Sequence, residues 1–208
     1  MNHIISLLIR IWSRIYTLRV VNWVTRKRTS LYTLWISHFL GYVGEDCLFE
    51  SPLILQGAGQ CRIKIGSYSG IGHHTVLGCW EHYGRDEHYM PEIIIGNHCN
   101  IGEYCHISAI RKITIGDGLL TGRFVYIGDN SHGGLSLEEA DTPPSKRNLV
   151  SKGEIFIGRN VWIGDRVSVL GGVTIGDNVI IGAGSIVTRD IPSNSLAVGA
   201  PAKTIKTI

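Results

Sequence analysis

The first 40 residues contain no glycine and no acidic side chain, and the apolar run they open with is short. Arg10, Arg14 and Arg19 interrupt it well before the roughly 18 unbroken apolar residues a membrane span needs, and no A-x-A cleavage site follows. A span and a secretory leader are both disfavoured. Cysteine is scarce: the five are an odd number, with no C-x-x-C pair and no His at zinc-finger spacing. This excludes a disulfide framework and a structural zinc site, and predicts a reducing, cytoplasmic setting. Net charge is small at +3, from 20 Lys and Arg against 17 Asp and Glu, which excludes a nucleic-acid-binding body. The charge is unevenly placed. Arg10, Arg14, Arg19, Arg26, Lys27 and Arg28 stand unopposed before Gly41, so that piece carries +6 and leaves −3 on the rest.

The acid-free segment sets the first boundary, with a helical piece at residues 1–40. Polar residues recur at His3, Ser6, Arg10, Ser13, Arg14, Thr17, Asn22 and Arg26, with Ile, Leu, Trp and Tyr between them. Spacing by threes and fours predicts an amphipathic helix with a basic polar face. Its apolar stripe has two uses open to it. It can dock on the main body, or residues 1–28 can make peripheral contact with the inner face of a membrane, which Trp12, Trp23 and the cations favour.

What the remainder has in abundance is glycine and a six-residue period. Ile-Gly occurs at 65, 71, 95, 101, 115, 127, 157, 163, 175 and 181. Five consecutive units run from Ile157 to Ile186 without a slip. A period of six fits neither a helix nor an ordinary sheet. It predicts a parallel β-helix over residues 41–192, in which an aliphatic residue fills the interior, the next turns the chain and the fifth is small. Three units make one triangular coil, and residues 193–208 form a tail. Cys47, Cys99 and Cys105 fall in the small fifth slot and are predicted to be buried hydrophobes. The frame shifts by two between Ile107 and Ile115, and loops break out at 79–92 and 133–154. Function is expected on those loops.

These repeats, and the ending Ile191-Pro-Ser-Asn-Ser-Leu-Ala-Val-Gly-Ala-Pro-Ala-Lys, resemble the hexapeptide-repeat acyltransferases, over about residues 43–208. The similarity is to galactoside and maltose acetyltransferases and to O-acetyltransferases of bacterial surface polysaccharides. It implies an all-β fold, a left-handed parallel β-helix assembled as a homotrimer with sites between subunits. The implied activity is acetyl-CoA-dependent transfer to a saccharide hydroxyl, such as a precursor in lipopolysaccharide biosynthesis, with no metal required. N-acetylation of an amino-sugar nucleotide and a non-enzymatic scaffold are the alternatives.

Acyl transfer from a thioester to a hydroxyl needs a base for the acceptor proton, a donor for the developing oxyanion and a slot for the thioester. His132 closes the unit Ile127-Gly-Asp-Asn-Ser-His directly before the 133–154 loop, at the distance from Thr114-Ile-Gly that the resemblance gives a catalytic histidine. Imidazole titrates near neutrality and suits the base. Asp129 and Asn130 are candidates to orient it or to touch the acceptor. The resemblance carries cofactor contacts to Asp165, Ala183, Thr188, Arg189 and Lys206. Gly184 leaves backbone uncovered for a pantetheine arm, Lys203 adds charge for phosphates, and Trp162 is expected to point outward onto coenzyme A or a neighbouring subunit. On the 79–92 loop, His82, Arg85, Asp86 and His88 are the acceptor-binding candidates.

Overall fold

A computed structural model describes residues 3–83, 87–134, 136–137 and 139–208. The N-terminal segment forms two helices, α1 (His3–Ile15) and α2 (Leu18–Ser37), where the periodicity predicts one. Thr17 is the reason for the break. Its backbone is extended and its side chain accepts from the Val20 N–H, which caps a new helix start. The second half of α2 docks on the body: Ile36 is buried, the Phe49 N–H donates to Thr33 Oγ1 at 2.8 Å, and the Leu53 N–H donates to Tyr32 Oη at 2.8 Å.

From Tyr42 the chain winds through three faces of short parallel strands. On the first face, Ile65, Ile95, Ile115, Ile157 and Ile175 stack in one column. On the second, Phe49, Ile71 and Ile101 stack, and then Thr121, Ile163, Ile181 and Ala197. The third carries Leu55, Leu77, Ile107, Ile127, Val169 and Val187. Neighbouring strands lie about 4.8 Å apart, so each interior side chain rests on its equivalents above and below. These columns form one continuous core, and burying each large aliphatic contributes about 1.5–3 kcal/mol.

Glycine follows the interior residue because coils crowd there, rather than to supply the turn. A Cβ on Gly72 would meet the Glu103 backbone nitrogen at 2.7 Å. The left-handed turn falls two residues later, on His74, Tyr104, Phe124 and Arg166, all with φ near +57°. Their rings ladder down one corner: His74 stacks on Tyr104 at 5.0 Å and Tyr104 on Phe124 at 5.1 Å.

Cys47, Cys79, Cys99 and Cys105 are buried free thiols and Cys61 is exposed. Burial raises the pKa of the buried four, that of Cys79 to about 12. The final strands correct the domain boundary. Ser195–Val198 pairs in parallel with Ile180–Ile181, and Ala197 takes an interior slot, so the coil extends past residue 192. Lys203–Thr207 then folds back antiparallel on that strand.

Candidate active site

Both insertions leave from the corner where the third face passes to the first. One forms the hairpin His82–Tyr83 with Glu87–His88, and the other pairs Ser131–His132 with Leu149–Val150. The two are tied together. The Leu149 N–H donates to Tyr89 Oη at 3.0 Å, the Tyr89 hydroxyl lies 3.0 Å from the Leu149 carbonyl, and Asn148 Nδ2 donates to Glu87 Oε1 at 2.8 Å. Tyr83 Oη also donates to the Ser145 carbonyl at 3.3 Å.

Between this pair of arms and the third face lies a pocket of about 510 Å³ that His132 helps to line. The imidazole is exposed and packs edge-on against Tyr83, ring centroids 5.1 Å apart. Outward positions of the third face form the floor, where His106 pairs in register with Tyr126 and Ser108 with Gly128. Trp80, Asn130, Ser131 and Leu149 complete the lining, which among the described residues holds no Lys, Arg, Asp or Glu. His106 is partly buried and its Nε2 has no hydrogen-bond partner among the described residues; burial pushes its imidazole below the usual value, which keeps the ring neutral. Trp80, Tyr83, His106, Ser108 and Tyr126 escaped the sequence reading. One signal was available, because 106 and 126 each stand one residue before an interior Ile of the same face.

Asp129 does not orient His132. It is 1% exposed, and its two oxygens accept from the Ile110 and Arg111 N–H groups at 2.8 and 2.9 Å. It therefore staples the corner where the hexad frame shifts. Burial raises its pKa, against the opposing pull of those amides. Asn130 Nδ2 donates to Ser108 O and Oγ, both at 3.0 Å, so it fixes the pocket floor, and no hydrogen bond joins it to the imidazole among the described residues.

His82 and His88 face each other across their hairpin, centroids 4.3 Å apart, and neither lines the pocket. Arg85 and Asp86 lie outside the described residues. The cofactor candidates fall into separate places. Asp165, Ala183 and Gly184 share the corner between second and third faces, where the Gly184 N–H donates to the Asp165 carbonyl at 2.8 Å. Asp165 Oδ1 accepts from the Arg123 N–H at 2.9 Å. A Cβ on Gly184 would meet nothing within 4 Å, so its backbone lies open to a ligand arm. Thr188 and Arg189 occupy the corner that His132 leaves from, two coils, or about 10 Å, further along. Lys203 and Lys206 are exposed on the closing hairpin, and Trp162 points outward from the second face, 51% exposed. Among the described residues, the one grouping with metal-ligand spacing is Glu50, His73 and Glu103, and Arg123 already pairs with Glu103 at 3.1 Å.

Residues 154–189 match the family model for bacterial transferase hexapeptide (six repeats). Over 163 residues, 76% of this chain and 78% of the other, the sequence is 37% identical to the Escherichia coli K12 protein named "Putative lipopolysaccharide biosynthesis O-acetyl transferase WbbJ". It is 43% identical over 101 residues to the galactoside O-acetyltransferase of the same organism, spanning 46% of this chain and 44% of that one. Among solved structures, a maltose O-acetyltransferase from Clostridium difficile 630 superposes with TM-score 0.52 at 25% identity, over 88% of this chain and 86% of the other. The N-acyltransferase AntD of Bacillus cereus, solved with dTDP and 3-hydroxybutyryl-CoA, shares the fold at TM-score 0.66 and 20% identity, over 85% and 87%. The coil is thus the left-handed parallel β-helix of these transferases, and the chain belongs to the bacterial hexapeptide-repeat family as an acetyltransferase.

Proposed function

We propose that the protein transfers the acetyl group of acetyl-CoA to a hydroxyl of a saccharide, a precursor of a surface polysaccharide such as lipopolysaccharide, with His132 as general base. The carrying observation is an exposed imidazole opening on a pocket with aromatic walls and, among the described residues, no charged side chain. Such a lining suits a neutral sugar ring, whose apolar face packs on Trp80, Tyr83 or Tyr126 while its hydroxyls meet Ser108, Asn130 and His132. Among the described residues it offers no counter-charge to the pyrophosphate of a nucleotide-linked acceptor, which favours O-acetylation of a saccharide over the amino-sugar nucleotide alternative. The 37% identity to an O-acetyl transferase supports the same choice. The imidazole takes the hydroxyl proton as the oxygen attacks the thioester carbonyl, and coenzyme A leaves with its sulfur reprotonated. No covalent enzyme intermediate is required.

The residues fit coenzyme A in pieces: open backbone at Ala183 and Gly184, and cations at Arg189, Lys203 and Lys206 for phosphates. One chain spreads these pieces over two corners and the closing hairpin, so the reading includes a homotrimer whose interfaces complete the site. Outward Leu120, Trp162 and Ile180 support it, since they align as an exposed apolar strip on the second face. The same reading sets the chain in the cytoplasm, where acetyl-CoA is made, with residues 1–28 against the inner face of the membrane.

The experiment is a melting curve with acetyl-CoA, followed by coenzyme A release against a panel of hexosides. Donor at about 100 times its Kd stabilises the fold by about 2.7 kcal/mol. A product ester cleaved by mild alkali marks O-acetylation, and an alkali-stable amide marks the alternative. Absence of any donor shift at millimolar acetyl-CoA, on a confirmed trimer, refutes the reading.

A further inference from the structure

We infer that α1 is a lipid-docking helix that lies in the plane of an anionic bilayer surface, while the second half of α2 fastens it to the coil. This rests on the proposed function only for the side of the membrane it faces, and narrows the contact from residues 1–28 to one helix and one lipid chemistry. No side chain of α1 is buried against the protein. Ile4, Leu8, Trp12 and Ile15 are 72, 59, 64 and 70% exposed. At 100° per residue these four, with Ile5 and Ile11, fall on one side of the helix. His3, Ser6, Arg10, Ser13 and Arg14 occupy the opposite arc. An apolar side of this size is not left in water without a partner.

Charge identifies the partner. No acidic residue precedes Glu45, so nothing on either helix opposes Arg10 and Arg14 or the four cations of α2. A cationic polar face behind an apolar face is the pattern that inserts between headgroups and acyl chains and favours anionic lipid. Spanning is excluded by length. The 13 residues of α1 reach about 20 Å against a hydrocarbon thickness of about 30 Å, and among the described residues no helix is long and apolar enough to cross. The exposure of α1 is also not that of a wholly loose terminus, because Tyr32, Thr33 and Ile36 hold α2 to the first coils.

The test is co-sedimentation of the full chain with vesicles of phosphatidylglycerol and phosphatidylcholine, and with phosphatidylcholine alone. The chain is expected to pellet with the first and stay in solution with the second. Arg10→Gln with Arg14→Gln weakens binding about 30-fold, from about fivefold per cation near the surface. Leu8→Glu with Trp12→Glu abolishes it, and both variants melt normally because the changed side chains touch nothing in the body. Equal binding to both vesicles, or undiminished binding by the Leu8→Glu, Trp12→Glu variant, overturns the inference. So does a smaller oligomer by light scattering for that variant together with no vesicle binding by the parent, which would make a second copy of this chain the occupant. A chain that binds anionic vesicles but shows no acetyl-CoA shift sinks the proposed function and leaves this inference standing.

Discussion

Replacing His132 with alanine separates chemistry from architecture, because the proposed mechanism predicts a large loss of one and the structure almost none of the other. The side chain is exposed, and its strand pairing with Leu149 runs through the backbone, which alanine preserves. What disappears from the fold is the edge contact with Tyr83, worth about 1 kcal/mol, so Tm falls by about 2–4 °C. What disappears from the reaction, under the proposed mechanism, is the group that takes the hydroxyl proton. A positioned base supplies about 10²- to 10⁴-fold, so kcat drops by that factor, equivalent to about 2.7–5.5 kcal/mol of barrier. The assay follows the released coenzyme A thiol with a chromogenic disulfide. Its background is small and fixed by the fold, since Cys61 is exposed and the other four cysteines are buried with raised pKa values. Acetyl-CoA affinity, read from the melting shift, stays within about threefold of the parent. A variant that keeps kcat within about threefold refutes the assignment of the base, and one that loses donor binding together with turnover shows that His132 was holding the fold or the donor.

Three further outcomes follow from the packing and the charges. Ile163→Ala removes a fully buried member of the second-face column and costs about 2–5 kcal/mol in urea unfolding; a loss under about 1 kcal/mol would mean the coils close over the gap. Tyr32→Phe deprives the Leu53 N–H of its acceptor and costs about 1–3 kcal/mol, and an unchanged urea midpoint would show that α2 docks through apolar contacts alone. Lys64 and Lys112 hold the Glu92 carboxyl below the usual carboxylate value. Its contribution is therefore present above pH 4.5 and is lost as pH falls through the lowered folded value. Both ion pairs are partly solvated, so Glu92→Gln reduces stability at pH 7 by about 1 kcal/mol and flattens the acid limb of the stability curve; a parallel shift of the whole curve would contradict that account.

The coil was legible because its period is enforced by packing: each interior Ile must sit on another one coil away, so a misplaced residue would leave a hole. The same logic explains what was missed. Asp129 looked like an active-site acid because it precedes His132 by three residues, yet its carboxylate serves two amides at the corner where the frame slips. That need arises from backbone geometry one coil away in sequence and leaves no local trace. Thr17 likewise reads as one more polar residue in a helical stripe, and only its cap on Val20 shows that the helix restarts there. The pocket's aromatic walls come from Trp80 and Tyr83 on one arm and Tyr126 on the face, residues brought together by the tie between Tyr89 and Leu149. Sixty residues of sequence separate the two ends of that tie.

A parallel coil is a poor surface for converging groups, since successive residues on one face point straight outward and equivalent positions repeat along the axis. Convergence must come from corners, where the chain can leave the repeat. Here one corner carries both arms, His132, and, about 10 Å further along, Thr188 and Arg189, while the open backbone of Ala183 and Gly184 lies on another corner. The proposed base and the proposed donor groove, on different corners, cannot meet within one chain without bending a core of stacked isoleucines. Under the proposed trimer they meet without bending anything, because a threefold axis sets one chain's corner against its neighbour's face. The exposed strip of Leu120, Trp162 and Ile180 is then the cost of a site built from rigid parts: apolar surface held outward so that assembly, not flexibility, brings base and thioester together.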